Sequence, residues 1–581
     1  MKANVAIATC LTSLVLAALA CLAVPSATAT ESPSTETLTL MLIGDTHGHM
    51  LPRSNLRRDS LDGVKEGGYA RLMTRVKEIR QHDPEALLFM SGDTLQGGVE
   101  ALYTKGQSAI EVFDTFGINA FAPGNWDFLY GRDRFVEVFG TDRWGIVCAN
   151  LYYEEGFEDP ATRQRVVPPY RILEVKGIKI GVIGMTAERG ILAVPGANDG
   201  FILTKAQDEL PALIAELRPQ VDVLMLLSEL GLAKNSLLAE RFPDFDLVFS
   251  SDMHEEVPNP IIIGDKGIIV TEMGHDGTGM IQIMLRLEDK QIVDKHYSWI
   301  DINNLIMPDP DVKRLIKRIS AEFDKGAAFK THINPLSGYV LKTPANTVVG
   351  HNATRLYRYD FTDDPRPGVI EGASHDFLTD AFRERAAADF AMIVGFRYGT
   401  HLQPGPIRLR DLYHYLPAGA QIAKGTVSGQ QIKNVLENNT DGALNKDPFK
   451  WTGGWLFGYS GIQLDVDLTV PKGSRAQNVM IRRQASGMWE SLDLGASYTV
   501  AGFWFPLRPS RIGVFPIADP STVIRLTLPD GSPKDATEVV VDYLQTTTAN
   551  PDMDRIRLLT PLPPPVFGNP EVQPLRGATL E

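Results

Sequence analysis

The sequence predicts an α/β fold in two domains, a layered α/β unit followed by a second, β-rich α+β unit. Three observations carry this expectation. The chain has 581 residues, several times the roughly 100–200 of one domain. Residues 38 to about 290 alternate short apolar, β-rich runs with stretches of helical period, whereas strand-like segments dominate after residue 340. The composition is 44% hydrophobic and 22% charged, which excludes disordered, collagen-like and coiled-coil chains.

Residues 1–29 read as a leader. Lys2 precedes an apolar run through Leu14 to Ala20, and Ala27-Thr28-Ala29 fits the A-x-A rule, which puts cleavage after Ala29 and the mature chain in the periplasm or outside the cell. Thr9, Thr12, Ser13 and Pro25 interrupt the run, and no later stretch approaches the roughly 18 apolar residues of a membrane span. Lipidation at Cys21 is the alternative, although Ala18 stands where a lipobox prefers Leu.

The first domain, 30–308, opens on the strand Leu38–Ile43 and continues through the helix Tyr69–Arg80, the strand Ala86–Met90 and the helix Ser108–Phe116. The strands Lys179–Gly184, Val221–Leu227 and Leu247–Ser250 follow. In such layers ligands gather at the C-terminal strand ends. Residues 309–340 form a connection with a helix over Asp311–Lys325, and 341–581 form the second domain. That domain carries a helix at Phe377–Ala387 and strands at Ala391–Val394, Ile462–Leu468 and Tyr498–Phe505, and closes on the Pro-rich Pro561–Pro565.

The net charge of −14 repels a phosphate backbone and an anionic leaflet, so neither nucleic acid nor a membrane surface is an expected partner. Of the three cysteines, Cys10, Cys21 and Cys148, only the last lies beyond the leader, so the mature chain has no intrachain disulfide. Cys148, within Ile146-Val147-Cys148-Ala149, reads as a buried strand residue and not a nucleophile.

Three strand ends carry chemistry. Gly44-Asp45-Thr46-His47-Gly48 sets a carboxylate and an imidazole two residues apart, able to turn oxygen and nitrogen toward one divalent ion. Ser91-Gly92-Asp93-Thr94 offers a carboxylate that can bridge two ions, and Gly124-Asn125-Trp126-Asp127 offers a neutral amide oxygen. Each alone is equally compatible with a plain turn, because Asp, Asn and Gly favour loops for local reasons.

In order and spacing these motifs resemble the calcineurin-like metallophosphoesterases. The second half resembles the 5′-nucleotidase C-terminal domain through Gly395-Phe396-Arg397, Pro404-Gly405-Pro406-Ile407 to Asp411, and Gly453-Gly454-Trp455. The resemblance implies a β-sandwich with flanking helices that holds two metal ions, closed by an α+β substrate-binding domain. It further implies hydrolysis of an anionic ester by metal-activated water, with Arg397 gripping the anion and Trp455 in the place of a base-stacking aromatic. A packing anchor is the other role open to Trp455, and a solvated strand-end side chain the other for Arg397.

Within the superfamily the chain is most similar to the periplasmic thiosulfohydrolases, dimanganese enzymes that cleave sulfate from a sulfonated carrier protein. Trp126 stands where nucleotidases have their catalytic histidine, and Gly502-Phe503-Trp504-Phe505 replaces their G-G-D-G-Y segment. Gly395 to Thr400, Asp447-Pro448-Phe449 and Phe567-Gly568-Asn569-Pro570 match the same branch. His275, in Gly274-His275-Asp276-Gly277, either supplements the missing acid or is a surface histidine.

Two further departures concern the metal shell. The family's S-H-x-G appears as Ser228-Glu229-Leu230-Gly231, and its G-H-T-H as Ser251-Asp252-Met253-His254. The implied ligands become Asp45, His47, Asp93, Asn125, Glu229, Asp252 and His254, with carboxylates in two histidine places. That set suits hard ions, Mn²⁺ foremost and Mg²⁺, Ca²⁺ or Fe²⁺ besides, better than Zn²⁺. Three functions remain open: cleavage of a sulfonated carrier or other small anionic ester, a 5′-nucleotidase-type phosphomonoesterase, and a binding protein that kept the fold and lost the chemistry. The sequence gives no oligomeric state.

Overall fold

The computed structural model describes residues 35–54, 65–357, 369–394, 401–453 and 455–560. The leader, Gly395–Thr400 with Arg397, Pro561–Pro565 and Phe567–Pro570 lie outside the described residues.

Two sheets face each other in the first domain. One runs in the order Gln291–Asp301, Gly279–Glu288, Thr35–Gly44, Leu87–Gly92, Ala120–Pro123, its last three strands parallel. The other runs Ile261–Ile263, Ile268–Glu272, Leu247–Ser250, Val223–Ser228, Ile178–Met185, Tyr170–Val175, with the four central strands parallel. Their inner faces interdigitate through Leu40, Leu42, Phe89, Val182, Met225, Leu227 and Phe249, all fully or almost fully buried. Each such side chain contributes about 1.5–3 kcal/mol of apolar burial. The resulting β-sandwich with outer helices is the expected architecture, and the sequence-derived strand Leu247–Ser250 is reproduced end to end.

Central strands buried on both faces explain why these segments read as continuous apolar runs rather than alternating ones. The helix Tyr69–His82 covers the outer side of the first sheet with Tyr69, Leu72, Met73 and Val76. Cys148 differs from expectation in one respect. It is buried, but in an irregular segment whose backbone bridges the two sheets, Val147 N–H donating to Phe121 O (2.9 Å) and Ala149 N–H to Gly184 O (2.7 Å). Burial pushes its thiol up to about 12, which leaves it inert.

The connecting helix, Pro310–Ala321, begins where the sequence supplies its own start. Asp309 caps it by accepting from Asp311 N–H (3.1 Å) and Val312 N–H (3.0 Å), and Pro310 takes the first position, where a missing N–H costs nothing. The second domain has a five-stranded sheet in the order Gly458–Ser460, Phe390–Ile393, Ser497–Trp504, Gln421–Ser428, Ile524–Arg525, and a four-stranded one built on Ile462–Val466 and Ala476–Arg482. The helices Ala373–Ala386, Gly429–Leu444 and Ala536–Leu544 complete it. Phe503, Trp504 and Phe505 are buried in its packing.

A buried carboxylate ties the two domains and their connection together. Asp535 accepts from Asn334 (2.9 Å) and Ser337 of the connection, and its Oδ2 lies 3.1 Å from the hydroxyl of Tyr103 of the first domain and 3.2 Å from that of Tyr413 of the second. The two tyrosine hydroxyls also bond each other at 2.7 Å. Burial outweighs these donors and pushes Asp535 from 3.8 up to about 7. Between those two values the folded chain holds a proton that the unfolded chain has lost, so the contribution of Asp535 is complete below about 4 and disappears as pH rises through about 7. Asp535→Asn removes that titration. The stability advantage of the native chain over the variant should therefore shrink by up to about 4 kcal/mol between pH 4 and pH 8, measured as melting temperatures across that range.

Candidate metal centre

Six of the seven implied ligands come directly after or a few residues beyond the C-terminal ends of parallel strands, and His47 follows Asp45 in the same loop. Asp45 follows Gly44, Asp93 follows Gly92, Asn125 lies just past Pro123, Glu229 follows Ser228, and Asp252 and His254 come after Ser250. Because the strands of both sheets end at the same edge of the sandwich, side chains up to 207 residues apart meet there. Asp45, His47 and His254 form one group of facing ligand atoms, and Asp45, Asp93 and Glu229 another, each within 4.8 Å. His47 Nε2 lies 2.9 Å from His254 Nε2 and 3.8 Å from Asp93 Oδ2.

The backbone is bent to achieve this. Asp45 (φ 42°), His47 (φ 48°), Asp252 (φ 91°) and His254 (φ 63°) all adopt left-handed conformations that L residues avoid, a strain the surrounding packing must hold. Gly92, at φ 92°, is required twice over: its conformation suits glycine, and a Cβ there would collide with Asp45 Oδ1 and Glu229 Oε2.

The electrostatics are those of a site short of positive charge. Burial raises Asp45 well above the usual carboxylate range, and Glu272, Asp93 and Asp252 add repulsion. Burial likewise raises Asp93, reinforced by Asp127, and raises Glu229, reinforced by Asp45 and Asp93. Burial holds His47 well below its usual value, hence neutral and able to ligate. Asp45 Oδ1, Asn125 Oδ1 and Glu229 Oε1 are buried acceptors with no hydrogen-bond donor among the described residues. Oxygen-rich, partly unsatisfied and joined by two imidazoles, this set fits divalent cations.

Several supporting side chains carry no signal that a motif search would weigh. Gln96 Oε1 lies 3.1 Å from His47 Nδ1 and sets the ring's orientation, the usual device for a ligating imidazole. Asp127 accepts from the backbone N–H groups of Thr94 (2.9 Å), Leu95 (2.8 Å) and Gly124 (2.9 Å), clamping the Asp93 loop to the Asn125 loop. The N–H of Trp126 donates to Asp93 Oδ1 at 2.6 Å. Ser251 donates to Glu229 Oε2 and is 2.7 Å from Ser91, stitching the two sheets together at their ends.

Asp252 departs from the expected ligand set. Its carboxylate is paired with both terminal nitrogens of Arg189, Nη1 to Oδ2 at 2.9 Å, and it belongs to neither group of facing ligands. What it gives the site is a backbone N–H, donated to Asp45 Oδ2 at 3.0 Å. His275 is not a surface histidine: it is buried, its ring stacked on His254 with centroids 5.4 Å apart and its Nδ1 2.9 Å from Asp276 Oδ2. Arg53 and His49 converge on the same Asp276, whose carboxyl they hold well below its usual range against the effect of burial. Trp455, half-buried, donates its indole N–H to Val394 O (2.8 Å) and packs within the second domain, which supports its packing role.

Comparison with known proteins finds relatives of both domains. Residues 38–256 match the calcineurin-like phosphoesterase family and residues 348–518 the 5′-nucleotidase C-terminal domain. Similar proteins include the trifunctional nucleotide phosphoesterase YfkN of Bacillus subtilis, 23% identical over 80% of this chain and 31% of that protein. A probable 5′-nucleotidase of Treponema pallidum is 26% identical over 79% of this chain and 84% of its own length. The chain spans only 31%, 45% and 53% of the first three curated relatives it matches. Among solved structures, a 5′-nucleotidase precursor of Thermus thermophilus superposes with a TM-score of 0.72 at 19% identity, covering 90% of this chain and all of that one. The sulfate thiohydrolase SoxB of the same genus superposes with 0.73 at 18% identity, covering 90% and 96%. At such identities the superpositions show the fold, and they do not separate the two activities. With both family matches falling on the two domains described above, the chain carries a calcineurin-like phosphoesterase domain followed by a 5′-nucleotidase C-terminal domain, the domain pair of that superfamily.

Proposed function

We propose that the chain is an exported hydrolase of phosphate, sulfate or thiosulfonate esters, thiosulfohydrolase-like in preferring a good leaving group. The observation that carries the reading is the pair of buried groups Asp45–His47–His254 and Asp45–Asp93–Glu229, which share Asp45. These residues, with Asn125, would hold two divalent ions, Mn²⁺ foremost and Mg²⁺, Ca²⁺ or Fe²⁺ besides; ions bound there polarise the ester and activate water. Asp93 would serve both ions, Gln96 would keep His47 in its ligating orientation, and Arg397 would orient the substrate's anionic group. Because Arg189 neutralises Asp252, three carboxylates and not four would face the ions, leaving them more electrophilic than a four-carboxylate shell allows.

The leaving group is inferred from Trp126. Its indole has no titratable proton, and its backbone is fixed to Asp93. An alkoxide departing without a positioned acid loses about 10²–10⁴ in rate, whereas a thiolate, with a thiol pKa of about 8.5, departs unaided at neutral pH. The nucleotidase alternative draws on the match of residues 348–518 and on relatives named as 5′-nucleotidases.

Three outcomes follow. Asp93→Ala should lose most divalent-metal binding in calorimetric titration and all hydrolysis, while full metal content in the variant would make Asp93 structural. Glu229→His should raise affinity for Zn²⁺ relative to Mn²⁺ by about tenfold in competition titrations, and Asp252→His, tied to Arg189, should shift it less. With one metal throughout, kcat/KM should be lower for AMP than for an aryl phosphate or an S-sulfonated peptide, and Trp126→His should narrow the gap. AMP winning by a wide margin establishes the nucleotidase alternative. Metal-loaded protein that turns over none of the three is a binding protein.

A further inference from the structure

The helix Tyr69–His82 and the connecting helix Pro310–Ala321 are tied together where they begin, Asp309 N–H donating to Ala70 O at 2.8 Å. Past the connecting helix the chain is tied again, Lys325 N–H donating to the Asn346 side chain at 3.2 Å and Ala345 N–H to Phe323 O at 2.8 Å. Along this junction lies a cleft of about 770 Å³, within the roughly 300–1,000 Å³ of small-molecule sites. It shares no residue with the metal centre.

The floor of the cleft is apolar. Met50 and Ile316 are each 3% exposed, and Ala70 and Ala321 leave space because their side chains stop at one carbon. Leu51, more exposed, stands nearer the mouth. An occupant with an apolar body gains by covering these side chains, and a floor this deep between two helices suits a chain end better than a folded surface.

The charges around the cleft are positive. The connecting helix carries two arginines that are both paired, Arg314 with Asp311 and Arg318 with Glu111 (2.9 Å). Lys313 and Lys317 lie one turn apart on the side that lines the cleft, and neither they nor Lys325 beyond the helix has an ion pair among the described residues. Arg71 also lines the cleft; it donates to the carbonyls of Lys65 (3.0 Å) and Gly67 (3.4 Å), while Glu66 acts on it through space. Asp324, the carboxylate in the lining, is taken by Arg410 at 2.7 Å. Ser320 continues the row of Lys313 and Lys317, is buried, and has a hydroxyl with no hydrogen-bond partner among the described residues. In a chain of net charge −14, unpaired cations gathered over an apolar floor select an anion with an apolar body.

We propose that this cleft binds a single-chain amphiphilic anion, free in solution, with a carboxylate or sulfonate head and an apolar tail of medium length. The head faces Lys313, Lys317 and Lys325, and the tail lies on Met50, Leu51, Ala70 and Ile316. The site is independent of the hydrolase reading. The probes are decanoate, decan-1-ol with a tail of the same length and no charge, and acetate with the head alone. Each is titrated by calorimetry into the full-length protein, into the double variant Lys313→Gln, Lys317→Gln, and into Ala321→Trp, which fills the cleft.

Decanoate should saturate one site on the native protein, decan-1-ol should bind about tenfold more weakly, and acetate should give no measurable heat. Both lysines are exposed, so the double variant should keep the native melting temperature while losing about tenfold in decanoate affinity and none for decan-1-ol. Ala321→Trp should lose both ligands, and decanoate should raise the melting temperature of the native protein but not of this variant. If Ala321→Trp without ligand melts below the native protein, Ala328→Trp, an exposed position in the same lining, takes its place. No saturable decanoate binding, or equal affinity for decanoate and decan-1-ol, would overturn the proposal. A double variant that binds decanoate like the native protein would remove the lysines from the site, and unchanged affinity in the filled variant would put the ligand elsewhere; either result overturns it as well.

Discussion

Like charges confined in a dry space govern this molecule. Asp45, Asp93 and Glu229 are buried where two sheets end, and each raises the cost of ionising the others. The surrounding architecture serves that confinement. Glycine at 92 makes room for two of the carboxylates, Asp127 gathers the loops with three backbone hydrogen bonds, and two serines bridge the sheets behind Glu229. Four ligand-loop residues accept left-handed backbones to bring donor atoms to one point. Such an arrangement is unfavourable in itself and becomes favourable when cations complete it, which is the thermodynamic character of a metal centre.

The site answers part of the charge problem from within the chain. Arg189 neutralises Asp252, while Arg53, His49 and His275 share Asp276 on the other flank of the histidine pair. Metal chemistry would thus sit between two internally balanced ion pairs. The second domain meets this edge with Trp451 on one side and His414 on the other, whose ring lies 5.0 Å from that of His49. The cleft between domains is therefore polar on the first domain's side and partly aromatic on the second's.

Most of the fold was legible because its central strands are short apolar runs separated by stretches of helical period, and Leu247–Ser250 or Tyr69–His82 can be read almost to the residue. The candidate ligands Asp45, His47, Asp93 and Asn125 were legible because Asp-x-His, Gly-Asp and Gly-Asn fall at strand ends, where backbone geometry aims them toward one edge. What escaped is non-local. Nothing near residue 252 announces that its carboxylate belongs to Arg189, and nothing near 275 announces burial against His254, because both depend on pairings between segments distant in the chain. Cys148 read as a strand for the opposite reason: an apolar, β-branched run was sufficient locally, and the bridging role of its neighbours is visible only in three dimensions. Asp535 could not be read at all, since its partners come from both domains and the connection between them.

The contact between His47 and His254 spans 207 residues. A pairing of that sequence separation has a loop-closure cost that two side chains alone do not offset, so it depends on the strands that flank it. The metal centre therefore cannot act as a nucleus around which the chain condenses, in the way a small zinc module is organised by its ion. It has to be captured by a scaffold that is already complete. Divalent-ion binding at this edge would consequently depend on a completed first domain, and displacing His254 would break the group it forms with Asp45 and His47.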